Sequence, residues 1–255
     1  MRFVILGGGC YGSFYARQLL RARDAGAFAI DEVVVVDRNE WPRARREVGP
    51  SPALRFVQAE WDDFLRPYLA SLDAAAEDRF VPSPFTPHLA LAWLLDRFRG
   101  ERPDREWRLE PFRRFPGTPF ERQSAGGPLL VSHADWMCPV HCIEPAVCPA
   151  TSGPRHWDLD RTVRGLATVL EEAGQPVDQI HLFHCHHVTY GVGAYRAPAV
   201  RAAYDRIAEC VDGPARDRVA RFLVGTISHC HGALHLLESR PGTNPEKSPS
   251  SLPPA

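Results

Sequence analysis

The chain has 255 residues, 44% hydrophobic and 24% charged, and its 30 basic and 31 acidic residues give a formal net charge of -1. This is the composition of a soluble globule of one large or two small domains. No apolar run approaches the roughly 20 residues that span a bilayer, and there is no basic field to hold nucleic acid, so neither membrane insertion nor nucleic-acid binding is expected.

From the N-terminus, Arg2–Leu6 reads as a short apolar strand, and it runs into Gly7-Gly8-Gly9-Cys10-Tyr11-Gly12. Ser13–Arg23 then carries helical spacing at Phe14, Leu19 and Leu20. Val33–Val36 is a second strand ending at Asp37, Leu54–Gln58 a third, and Trp61–Leu72 a helix. The order is that of a parallel sheet built from β-α-β units. Phe80–Pro87 holds three prolines, Leu89–Phe98 reads as a helix, and the Arg- and Pro-rich stretch from Arg99 to Phe120 reads as irregular but packed through its aromatics.

In the second half, Pro128–Ser132 is a strand candidate, followed by a cysteine–proline loop at 136–156 and a helix at Leu159–Ala173. Gln179–Val188 reads as a strand, Ala199–Val211 as a helix, and Arg218–Leu237 as strand or helix. The last stretch, 241–255, has five prolines and three serines and reads as a disordered tail. The expectation is an α/β chain. Residues 1–100 form a Rossmann-like parallel-sheet domain that binds a dinucleotide, and 101–240 form a smaller α+β Cys/His-rich domain.

The spacing Gly7-x-Gly9-x-x-Gly12 between strand and helix is the dinucleotide fingerprint. The first glycine makes the turn, the second lets the backbone approach a pyrophosphate, and the third packs helix on strand. The amides around Cys10 and Tyr11 then face the phosphates. Asp37, 25 residues beyond Gly12, is placed to accept from the adenosine ribose. Arg38 beside it leaves NAD and NADP both open. Val4-Ile5-Leu6-Gly7-Gly8-Gly9, Gly12, the Val33–Asp37 strand and Glu60–Leu65 together resemble the N-terminal Rossmann NAD(P)-binding domains of the TrkA and RCK type. The resemblance covers the first third of the chain and implies NAD(H) or a related adenine nucleotide as ligand.

Lys247 is the only lysine, which leaves no residue before the tail for a Schiff base or a phosphate-loop amine. Seven cysteines, with no secretory pattern ahead of the first motif, point to a reduced, cytoplasmic protein. Cys138, Cys142 and Cys148 lie within eleven positions on a proline-stiffened loop, in the spacing C-x3-C-x5-C. Thiols so placed can converge on one ion or cluster. His184-Cys185-His186 and His229-Cys230-His231 echo each other. On strands, period two would send the histidines to one face and the cysteines to the other, gathering four imidazoles or two thiols. Cys185, Cys230 or a flanking histidine would complete the set, and Cys10 and Cys210 are structural. Two functions compete. One is an NAD(P)-dependent oxidoreductase with an iron–sulfur or other metal centre, serving a small-molecule substrate or an electron-transfer partner. The other is a TrkA-like nucleotide sensor with a structural zinc and a dimerisation face. Asp135, Glu144 and Tyr190 are the protonatable neighbours of the cluster.

Overall fold

The computed structural model describes residues 1–73, 75–83, 88–123 and 126–242. Its elements in chain order begin with β1 (Arg2–Leu6), α1 (Cys10–Asp24), β2 (Glu32–Asp37), α2 (Arg43–Glu47), β3 (Leu54–Gln58) and α3 (Trp61–Ala70). Next come β4 (Arg79–Val81), α4 (Leu89–Glu101), β5 (Arg105–Glu110), β6 (Phe120–Gln123), β7 (Leu129–Ser132) and α5 (Leu159–Glu172). The chain then runs through β8 (Gln179–His184), β9 (His186–Thr189), β10 (Val192–Arg196), α6 (Pro198–Asp212), β11 (Ala220–Ile227) and β12 (His231–Pro241). Of the tail expected at 241–255, Pro241 is instead the last residue of β12, and 243–255 lie outside the described residues. No described helix is long and apolar enough to cross a membrane.

The fold is α/β with two mixed sheets. The first has the order β3-β2-β1-β4-β10-β9 and the second β6-β7-β12-β11-β8, with β5 also paired to β12. Strands β3, β2, β1 and β4 are mutually parallel, while β10 runs antiparallel to β4 and to β9. The first sheet therefore takes its last two strands from the chain's second half, across the boundary expected near residue 100.

Side-chain alternation explains how the layers stack. Phe3, Ile5, Val33 and Val35 point to α1, while Val4, Leu6, Val34 and Val36 point the other way, onto α3, α4 and α6. Those three helices bury their far sides against Phe183, Phe222, Val224 and Leu237 of the second sheet. The opposite face of that sheet packs Leu223, Leu234 and Leu236 on Val163, Leu166 and Leu170 of α5. One core cluster thus draws on both halves.

Several expectations change here. The stretch expected to be irregular contains β5, whose Trp107 stacks on Phe98 at 4.3 Å between ring centroids. Its charged residues suit a strand because they pair across strands. Arg108 lies 2.8 Å and Arg221 2.7 Å from the fully buried Glu238 carboxylate, and Arg221 also reaches Glu110 at 2.9 Å. The strand expected at 179–188 is two strands, β8 and β9, in different sheets, and 218–237 is an antiparallel pair.

Burial alone would raise the Glu238 pKa, but Arg240, Arg221 and Arg108 outweigh it and hold the carboxyl below the ordinary glutamate value of 4.5. A depressed folded-state pKa adds stability that is full above the unfolded value and is lost as pH falls through the folded one. Glu238→Gln should therefore melt below wild type at pH 7, and the gap should narrow as pH falls below about 4.5. Thermal melts across that range check it.

Candidate functional site

The parallel strands β1, β2 and β4 deliver Gly7, Asp37 and Pro82 to one edge of the first sheet. Gly7 has φ +104°, a conformation that favours glycine. A Cβ on Gly12 would stand 1.9 Å from the Gly7 carbonyl oxygen, so α1 meets the turn backbone to backbone. A Cβ on Gly9 would meet nothing within 4 Å, which leaves that face of the turn open. Gly9 is the N-cap of α1, with no side-chain cap and no acid in the first turn. The first amides of such a helix have no intrahelical acceptor and carry the positive end of its dipole. Cys10 and Tyr11 open that first turn, both exposed.

The Asp37 carboxylate accepts from Gly8 N at 2.7 Å and Asn39 N at 2.8 Å, bracing the turn from β2. A carboxylate has room for further donors, so a ribose hydroxyl remains within its capacity. Arg38 is exposed beside it.

A cavity of about 710 Å3 adjoins this edge. Tyr11, Tyr15, Pro82 and Ser83 line it from the glycine-turn side, and Cys138, Cys142, Cys148, Cys185 and Cys230 line it from the other. His187, His231 and Glu144 share the same wall. All seven cysteines are free thiols, and Cys210 is buried inside α6.

The buried Glu144 carboxylate ties the thiol loop to the turn between β11 and β12. Ser228 Oγ donates to it at 2.6 Å, His229 N at 3.0 Å and Cys230 N at 3.2 Å. His187 Nδ1 lies 3.5 Å away. Burial opposes its ionisation, but the hydrogen bonds from His187, Ser228 and His229 prevail and hold its pKa far below the carboxylate range. Its own amide donates to Cys142 Sγ at 3.3 Å from a left-handed backbone, φ +52°. The loop closes on itself through a bridge between Val147 and Pro154 and a bond from Cys148 N to Gly153 O at 2.8 Å. Trp157 Nε1 donates to Cys230 Sγ at 3.2 Å.

The thiols differ electrostatically. Burial pushes Cys185 and Cys230 up to about 12, with the Glu144 charge adding to it. Burial and the neighbouring Cys142 and Cys148 raise Cys138. Burial also works to raise Cys148, but donors from Thr151 and Ala150, with Arg155 nearby, lower it.

Three of the imidazoles, those of His184, His186 and His229, cluster outside the lining of the thiol cavity. His184 and His186 stack at 4.3 Å, and His229 meets His184 edge-on at 5.1 Å. His231, expected beside His229, lines the cavity with Cys230 instead. The reason is local: residues 228–230 form a turn closed by Ser228 N to His231 O at 2.8 Å, so strand alternation does not apply there. His187 was not among the expected ligands, although alternation from Cys185 places it on the same face. Among the described residues, no group of three or more His, Cys, Asp or Glu side chains is close enough to hold a metal ion. The thiols share a cavity wall without converging on one point.

Residues 90–240 match the family AF_1314_C, described as an uncharacterized protein's C-terminal domain. The chain belongs to that family. The matched region runs from α4 to β12 and holds the thiol loop and both His-Cys-His segments, while the glycine turn lies before it. No curated protein and no solved structure matches the chain.

Glu144→Gln keeps the shape but turns an amide N–H2 toward a backbone N–H, that of His229 or of Cys230, whichever oxygen it replaces. It should cost about 1–3 kcal/mol of stability, read from denaturant unfolding at pH 7. Equal stability would show that the loop is held elsewhere.

Proposed function

We propose that the chain is an NAD(P)-binding redox protein whose nucleotide lies on the glycine turn and whose thiol cavity holds a sulfur-ligated metal centre, an iron–sulfur cluster in the first instance. The observation that carries this reading is that one cavity is lined both by the glycine-turn side and by five cysteines. The nucleotide half is read as a Rossmann-like unit of the TrkA and RCK type, on its parallel strand order and its glycine turn. The residues present fit a dinucleotide: an open Gly9 face, the exposed N-terminal turn of α1 at Cys10 and Tyr11, and a carboxylate at the end of β2.

For the metal centre the fit rests on donor chemistry, because five thiols in one wall are a soft, sulfur-rich set. Cys138, Cys142 and Cys148 would hold the centre with Cys185 or Cys230, and their convergence requires movement of the thiol loop. When bound, the centre supplies one-electron storage beside a two-electron hydride donor. A small-molecule substrate or an electron-transfer partner would exchange electrons at the cavity mouth, where Met137 and Val140 are exposed. A reduced compartment, the cytoplasm, suits the free thiols.

Protein purified without oxygen should be brown and bleach on reduction. Cys142→Ser should lose metal and melt at a lower temperature, and Cys210→Ser should keep its metal. A colourless protein with stoichiometric zinc would instead support the nucleotide sensor with a structural site.

Gly9→Ala tests the nucleotide half. Its methyl meets open space, so melting should be unchanged, while NADH affinity should fall about tenfold or more, roughly 1.4 kcal/mol. Calorimetric titration checks both the affinity and the stoichiometry.

A further inference from the structure

The segment after β2 carries an exposed aromatic that no step above uses. Trp41 is 60% exposed, and the Arg45 guanidinium lies 5.1 Å over its ring and also 5.1 Å over the ring of Phe56 on β3. Phe56, Arg45 and Trp41 thus form a three-layer stack in which the cation covers the inner indole face and solvent meets the rest. An exposed indole is costly surface for a segment that a polar residue would serve equally well. Its backbone is also held in place: the Trp41 main-chain N–H donates to Asn39 Oδ1 at 3.0 Å.

The stack is fastened to the glycine turn. Ala44 N donates to Gly8 O at 2.8 Å, and Pro42 packs so closely that a Cβ on Gly8 would stand 2.6 Å from Pro42 Cβ. Asp37, four positions before Trp41, holds the other side of Gly8. The indole is therefore on the β2–β3 side of the turn, and the thiol cavity, reached through Pro82 and Ser83, is on the β4 side. A dinucleotide crossing the turn puts one base at each end, and the end next to the ribose-accepting carboxylate belongs to adenosine.

We propose that Trp41 is the stacking platform for the adenine ring, with Arg45 clamped against Phe56 to fix the indole. This rests on the dinucleotide reading of the glycine turn and is independent of any metal. Stacking on an indole needs only a π-face, so ADP alone should bind the same platform.

The test is calorimetric titration of the full chain with NADH and with ADP, in wild type, Trp41→Leu and Trp41→Phe. Trp41→Leu should bind both ligands about tenfold or more weakly. Trp41→Phe, which keeps an aromatic face, should recover most of that loss. Equal affinity in wild type and Trp41→Leu overturns the platform and leaves the dinucleotide site standing. So does a Phe variant no better than the Leu variant, since contact area rather than stacking would then be at work. Wild-type protein that binds neither NADH nor ADP overturns the platform and the dinucleotide reading together.

Discussion

A single buried carboxylate, Glu144, holds the two cysteine-bearing parts of the chain against each other. It is separated from Ser228, His229 and Cys230 by more than eighty residues, yet it accepts from all three. An ionised group in that position is tolerable only because its donors replace the water it gave up. The left-handed φ at Glu144 adds backbone strain of order 1 kcal/mol, which the same hydrogen bonds must outweigh. With that anchor removed, the thiol loop keeps its ties through Trp157 Nε1 to Cys230 Sγ and through the close approach of Val140 to Gly191.

The second constraint is the hairpin of β9 and β10. It leaves the second sheet's β8 at Cys185 and crosses to the first sheet, where β10 pairs with β4. The crossing places His187 and Gly193 beside the carboxyl end of β4, so the glycine-turn edge and the thiol wall face one space. Gly191 is required at the hairpin turn. Its φ is +69°, and a Cβ there would lie 2.2 Å from the Val140 carbonyl oxygen of the thiol loop.

Local signals in the sequence located much of this. The strands Arg2–Leu6 and Leu54–Gln58 stand where periodicity puts them, because apolar runs bounded by turn residues leave few alternatives. The glycine turn was equally legible, since Gly7 takes a positive φ and Gly12 lets helix backbone meet turn backbone, while Gly9 faces open space. What escaped depends on distant partners. An Arg- and Glu-rich strand such as β5 reads as loop until Glu238 and Arg221 are placed across from it. The transfer of β9 and β10 to the first sheet is a long-range pairing that no local window contains. Glu144 was visible only as an acid among cysteines, and its role is defined by donors on another element.

The sorting of nitrogen from sulfur limits what chemistry the cavity can host. His184 and His186 stack and His229 meets His184 edge-on, and among the described residues they belong to no group of three or more side chains close enough to hold a metal ion. The thiols occupy the wall of the cavity itself, accompanied by His187 and His231. Any ion entering there meets mostly sulfur, and a sulfur-dominated set favours zinc or an iron–sulfur cluster over mononuclear iron held by histidines and a carboxylate. Glu144, the only carboxylate in that wall among the described residues, is already engaged by Ser228 and two backbone amides. Its part is therefore to position the thiol loop against the turn between β11 and β12.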